Sequence, residues 1–409
     1  MKNNRTFLEK LLDGAEVEWR TLGDVCNFQN GFAFKSSLFK ENGSPIVRIT
    51  NIDDGRVNLS DVKYFLMDDY NTDMAAYEVH KDDILIAMSG ATTGKIGFYN
   101  YEHTSYLNQR VGKFLPNTNI LNNRYLYHYL LSKVEDIYII SGGGAQPNLS
   151  SNRLMSEVLI PIPPLPVQTE IVKILDALTA LTSELTSELI LRRKQYEYYR
   201  EKLLSEEELG KVGFEWKTVK SLCNDNFWLM PATPEFDDNG NIPYITSKNI
   251  KGGKIDFQNT KYINEYVYQE LSRTRCIIEN DILISMIGTI GEAVIVKKED
   301  LYFYGQNMYV LRLNNELVNH KFFLYYFTAP FILNSLLSKK NSSNQGYLKA
   351  GQIESLKIPI PPLPVQTKIV KILDKFETLT NSITEGLPLA IEQSQKRYEY
   401  YRELLLNFS

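Results

Sequence analysis

Two long segments carry one apolar stripe each, and each is introduced by the same proline-rich lead. After Pro161, Pro163, Pro164 and Pro166, the residues Ile171, Ile174, Leu175, Leu178, Leu181, Leu185 and Leu189 recur at three- and four-residue spacing, and Tyr196, Tyr199 and Leu203 continue the line. That period belongs to an amphipathic helix. Proline fixes φ and keeps the residue before it out of the helical region, so the lead is extended and the helix begins near Leu165 or Pro166. The second stripe is Ile369, Ile372, Leu373, Phe376, Leu379 and Ile383, which runs into Glu385-Gly-Leu-Pro388, where Pro388 predicts a kink or break. Neither helix can bury its seam alone, and antiparallel pairing of the two is the expected solution, ahead of each helix covering its own globule.

Elsewhere the pattern is of short strands and turns. Pro45–Ile52, Ile242–Ile250 and Asp83–Met88 read as strands, and Asn122–Leu131 and Asn319–Phe327 read as short helices dense in aromatics. The expected fold class is therefore α+β: two α/β globules separated by a pair of long antiparallel helices.

The stripes sit inside an internal duplication. Ile160–Asp176 returns at Ile358–Asp374 with only Glu170 and Lys368 differing, and Lys194–Glu201 returns at Lys396–Glu403 with one change. Weaker echoes join Trp19–Cys26 to Trp216–Cys223, Asp83–Gly90 to Asp281–Gly288, and Glu9–Leu12 to Glu201–Leu204. The order is globule, connector, globule, connector, with the chain cut inside one connector and pseudo-twofold character. Expected boundaries are 1–18 (N-terminal segment completing the second repeat), 19–159 (first globule), 160–210 (central helix), 211–357 (second globule) and 358–409 (C-terminal helix).

Charge and chemistry exclude more than they assign. Net charge is −4, and the globules are near neutral: Trp19–Leu159 has 13 basic and 15 acidic residues, Trp216–Lys357 has 16 and 14. Nucleic-acid contact would have to come from local patches, because a strongly basic domain is the usual footprint. Cys26, Cys223 and Cys276 stand apart and only four His are present, which gives no metal or redox spacing. Gly90-Ala-Thr-Thr-Gly94-Lys95 is one residue short of a phosphate loop and has Ile96 where Ser or Thr would hold magnesium; Gly288–Glu292 lacks the lysine altogether. Both read as tight glycine turns after a strand. Ser141–Asn148 and Asn344–Lys349 read as a flexible turn and its polar counterpart. No catalytic centre, cofactor loop or metal site is visible, and no apolar run or leader suggests anything other than a cytoplasmic chain.

The run Pro161-Ile-Pro-Pro-Leu-Pro-Val-Gln168 entering a long helix that ends in Lys194-Gln-Tyr-Glu-Tyr-Tyr-Arg200, occurring twice with a divergent globule before each, resembles the DNA-specificity subunit of type I restriction–modification systems. The resemblance implies a non-catalytic, sequence-specific DNA-binding subunit in which each globule, a target-recognition domain, reads one half of a split DNA site. It implies helices that set the spacer and dock methyltransferase subunits, expected to be two, with motor–nuclease subunits joining later. S-adenosylmethionine and ATP with magnesium would be used by those partners and not by this chain. A protein-only scaffold is the alternative reading.

DNA is read at base edges and registered at phosphates. Polar and basic turn residues are the candidates: Lys35, Ser36, Arg48, Asn51, Lys95 and Arg110 in the first globule; Ser247, Lys248, Asn249, Lys251, Asn307, Tyr347 and Lys349 in the second. Tyr196, Tyr198, Tyr199 and Arg200, with Tyr398, Tyr400, Tyr401 and Arg402, are the candidate partner face. Neighbouring tyrosines point different ways round a helix, so part of that cluster is also expected to pack locally.

Overall fold

The computed structural model describes residues 6–53, 55–143, 147–288, 290–300, 302–338 and 348–408. The chain divides into two compact units, one of Met1–Thr186 with Ala390–Ser409 and one of Ser187–Leu389. The division falls inside a single helix, Leu165–Leu203, whose 39 residues follow the seam read from the sequence.

In the first unit a six-stranded sheet has the order Cys26–Asn30, Val111–Pro116, Ile84–Ala87, Ile96–Phe98, Gly55–Val57, Ile52–Asp53. A second sheet runs Lys63–Phe65, Ser44–Val47, Ser105–Leu107, Glu78–Val79, with a parallel pairing of Tyr106 to Ile46 at its centre. The strand Ile84–Ala87 is fully buried, as an unbroken apolar run requires. The helix Asn123–Ser132 starts where Asn122 caps it: the Asn122 side chain accepts from the N–H groups of Arg124 and Tyr125. It buries Tyr125, Leu126, Tyr129 and Leu130 in a core that also takes Ile171, Leu175, Leu405 and Leu406.

The second unit repeats this frame with fewer paired residues. Its strands run Cys223–Leu229, Met308–Leu313, Ile282–Ser285, Ala293–Ile295, beside a three-stranded sheet of Lys261–Ile263, Ile242–Thr246 and Tyr304–Gln306. The parallel pairing recurs as Tyr244 to Tyr304. Asn319 caps the aromatic helix His320–Phe327. The strands expected over Pro45–Ile52 and Ile242–Ile250 each end early in a 3₁₀ turn, Ile49–Asn51 and Ser247–Asn249, before a short hairpin strand.

Helix pairing is antiparallel inside each unit. In the first, Thr182 bonds Ser394 at 2.8 Å, while Leu175 shares a core with Leu405. In the second, Arg193 reaches the Thr380 carbonyl at 3.5 Å and Tyr196 lies against Phe376, ring centroids 6.3 Å apart. The second connector breaks where expected: one helix ends at Asn381, Gly386 has φ +89°, and the next helix begins at Leu387. One alignment needs correction. The counterpart of Glu201–Leu204 is Glu403–Leu406, since Leu204 and Leu406 each end their connector in a core. The N-terminal helix Phe7–Leu12 instead precedes the strand Glu18–Thr21 as Glu206–Gly210 precedes Glu215–Thr218.

Candidate nucleic-acid interface

The repeated motif works through one buried side chain. Gln168, fully buried, accepts from the Asn122 N–H at 2.8 Å and donates to the carbonyls of Ile120 (2.9 Å) and Pro163 (2.7 Å). Gln366 does the same with Asn319 (2.8 Å), Leu317 (3.2 Å) and Pro361 (2.8 Å). Each glutamine ties the start of a connector helix to the start of the aromatic helix, and so fixes a globule on its connector. Sequence reading placed it in a motif without seeing that it points inward.

Two helical turns further on, a carboxylate repeats the joint. Asp176 accepts from Arg124 and from His128 Nε2 at 2.8 Å; Asp374 accepts from Lys321 Nζ at 2.9 Å and the Tyr325 hydroxyl at 2.7 Å. Burial alone would raise the Asp176 carboxyl, but the bonds from His128 and Arg124 outweigh it and hold it at about 2. Burial pushes the His128 imidazole below its ordinary value, with Asp176 opposing. The neutral ring then donates from Nε2 and accepts at Nδ1 from the Tyr398 hydroxyl, 3.0 Å away.

Two glycine turns and two 3₁₀ turns bring the reading candidates together. In the first globule Gly90 (φ +78°) opens a turn against Ile49. Pro147 accepts from the Gly90 N–H, and Met88 pairs with Arg110 and with Leu149. Arg48 is half-buried, Lys95 pairs with Asp53, and Arg110 is exposed. In the second globule Gly288 (φ +81°) and the Leu348–Met286 pairing build the same corner. Around it stand exposed Lys248, Lys251 and Lys349, with half-buried Asn307 at φ +66°. Lys35 and Ser36 are exposed elsewhere, where the Lys35 N–H donates to the Tyr70 hydroxyl beside the Phe32, Phe34 and Phe65 cluster. Tyr347 lies outside the described residues.

Three expected contact residues turn inward instead. Asn51 accepts from the Arg48 N–H at 2.9 Å and donates to the carbonyls of Asn58 and Asp61. Asn249 repeats this with Thr246, Asp256 and Asn259. Both clip a turn, and Ser247 is buried beside the second clip. Both asparagine amides are spent on the fold.

The tyrosine cluster splits by helix face. Tyr196 and Tyr398 turn inward, Tyr199 stacks on Phe376 (5.6 Å, 24°), while Tyr198 and Tyr400 are 58% and 61% exposed. The outward pairs match: Tyr198–Tyr199 and Tyr400–Tyr401 are both edge-to-face at 5.3 Å. The arginines do not match. Arg200 donates to the Tyr325 carbonyl (2.8 Å) and to Thr328 Oγ1 (2.7 Å). Leu131 replaces that threonine in the first unit; Arg402 lies over the Tyr398 ring at 5.3 Å with its Nε buried and unbonded.

Among the described residues no group of His, Cys, Asp and Glu is arranged to hold a metal, and no helix is long and apolar enough to cross a membrane. Burial pushes the Cys26 and Cys223 thiols up to about 12, away from reactivity.

Comparison with known proteins agrees with this frame. Residues 15–192 and 211–393 each match the type I restriction modification DNA specificity domain. The chain is 42% identical, over all of both sequences, to a putative type I restriction enzyme specificity subunit, S.HindORF215P, of Haemophilus influenzae. It is 33% identical to the EcoR124I/EcoR124II specificity subunit of Escherichia coli, over 98% of this chain and 97% of that one. The crystal structure of the type I S subunit from M. genitalium shares the fold, with a TM-score of 0.52 at 18% identity over 96% of each chain. The chain belongs to the type I restriction–modification DNA-specificity family.

Proposed function

We propose that this chain is the non-catalytic subunit that gives a type I restriction–modification complex its DNA sequence. The carrying observation is the repeated joint: Gln168 with Asp176, and Gln366 with Asp374, hold two globules whose exposed turns differ. A common frame with divergent reading surfaces is what a bipartite site requires. Globules 19–159 and 211–357 each read one half; segments 160–210 and 358–409, with 1–18 beside them, space the readers. The outward faces of Tyr198 and Tyr400 dock two methyltransferase subunits, which bring S-adenosylmethionine. Motor–nuclease subunits bring ATP and magnesium.

A gel shift with and without the methyltransferase subunit, followed by mapping of methylated bases, tests this reading. One split site methylated only when this chain is present supports it. Protein assembly without DNA binding favours a scaffold. The spacer has its own test. Thr182-Ser-Glu-Leu185 is followed at once by Thr186-Ser-Glu-Leu189 in the central helix. Four residues make about one turn and about 6 Å of rise. Deleting 186–189 is expected to keep both half-sites and shorten the unread gap by about one to two base pairs, at about 3.4 Å each. Methylation at the original spacing would contradict this.

A further inference from the structure

The two globules carry opposite charges at two matching positions, and only the first globule joins them in an ion pair. Asp53 stands two residues after the Asn51 clip, and Lys251 stands two after the Asn249 clip. Lys95 follows Gly94 (φ +85°), and Glu292 follows Gly291 (φ +85°). Each partner sits on the same element in both units: a short hairpin, Ile52–Asp53 with Gly55–Val57 or Ile250–Lys251 with Lys254–Ile255, and a strand entered from the glycine turn. In the first globule Lys95 and Asp53 form an ion pair with side chains 42% and 69% exposed. In the second, Glu292 Oε2 accepts from the N–H of Gly252 at 3.0 Å, adjoining Lys251.

The Lys95–Asp53 pair is too exposed to add much stability, and in that globule either polarity would serve equally; in the second, Glu292 also holds the Gly252 N–H, which a lysine could not. Phosphate contact would not tolerate reversal, because it requires a cation at whichever position faces the backbone. A carboxylate at a DNA face is useful only against a base edge, where it accepts from the exocyclic amine of cytosine; an ammonium donates to guanine O6 and N7. We infer that 53 with 95, and 251 with 292, are specificity-determining pairs that read base edges, so that reversed polarity gives the two half-sites different base preferences at the corresponding position. This rests on the DNA-reading function proposed above and names residues that carry it.

The test uses the full chain assembled with its methyltransferase subunit on a DNA library randomised across both half-sites. The Asp53→Lys/Lys95→Glu double variant keeps an ion pair while reversing it; Lys251→Glu/Glu292→Lys exchanges the charges of the second globule and also removes the acceptor of the Gly252 N–H. The first is expected to change base preference at one position of the first half-site by about 5- to 150-fold and leave the second half-site as it was; the counterpart does the converse. Unchanged preferences in both variants, or a loss uniform across all sequences, would overturn the inference. A wild-type complex that methylates no split site would instead overturn the function on which it rests. If either double variant shows a lowered melting temperature, Lys95→Gln and Glu292→Gln replace it, with the same outcomes deciding.

Discussion

The junction of globule and connector exists twice in this molecule, and the copies share acceptors while differing in donors. Asp176 is held by Arg124 and His128; Asp374 is held by Lys321 and Tyr325, whose hydroxyl also donates to Glu377 at 2.7 Å. The glutamine above each carboxylate makes the same three bonds in both. The glutamine and the carboxylate repeat on the connector side, where Glu377 has Thr179 at its matching place, and the globule side varies within what a carboxylate can accept. The same division recurs inside the sheets: Asp83 is paired by Lys113 and Asp281 by Arg312, although these cations come from different positions on the strand. A frame built this way accepts new readers without being redesigned.

The comparison breaks most severely at the glutamines. Gln168→Leu leaves the buried Pro163 carbonyl and the half-buried Asn122 N–H and Ile120 carbonyl without this partner, and a buried group so left costs about 1–3 kcal/mol. We expect a loss of about 3 kcal/mol or more, with Gln366→Leu costing a similar amount in the other unit. Hydrogen exchange that reports on each unit separately checks both. If either variant is as stable as wild type, the clamp is not what holds globule to connector.

The arginines should separate the units. Arg200→Ala removes charge-assisted bonds to Tyr325 and Thr328, a loss of about 1.5–3 kcal/mol. Arg402→Ala loses its ring contact and hydrogen bond with Tyr398 and relieves an unbonded Nε, so a smaller loss of about 1 kcal/mol is expected. Equal losses in denaturant melts would mean that the two connectors are held alike.

The histidine sharpens the comparison through pH. The folded His128 pKa lies below that of the unfolded chain, so the unfolded state takes up the proton first as pH falls. Stability is therefore full above about pH 6.5 and declines below it, by up to about 1.4 kcal/mol per pH unit. His128→Tyr installs the residue found at the matching place in the second unit and should remove that component. His320, also lowered by burial, is common to both proteins and cancels. Identical melting-temperature profiles from pH 7.5 to 5.5 would rule the histidine out as a source of acid sensitivity.

Legibility followed the length of the pattern. Seven apolar positions behind a proline run place the start of the central helix to within a residue, although it ends at Leu203 and a separate short helix takes Glu206–Gly210. Asn122 and Asn319 announce the aromatic helices because a cap must precede the first free N–H. The mixed parallel and antiparallel order of strands two to seven residues long was not readable, since such runs carry too few positions to specify a neighbour. Asn51 and Asn249 were expected at the DNA because a short polar residue in a turn has one sequence signature whether it faces in or out. Gln168 and Gln366 hid for the opposite reason: a polar residue among prolines and helix formers gives no sign that it is buried. The apparent match of Glu9–Leu12 to Glu201–Leu204 misled because four residues recur by composition alone. Asp53 drew no notice, and Glu292 registered only as the place of a missing lysine, until the clips and glycine turns had set the two globules in register.

The central claim is that two independent readers share one frame. Replacing residues 19–159 with the corresponding globule of another family member, and mapping methylated bases with the methyltransferase subunit present, tests it most directly. The account predicts that one half of the site changes to that of the donor and the other half is retained. A change in both halves together would contradict it, because the globules would then be reading as one surface.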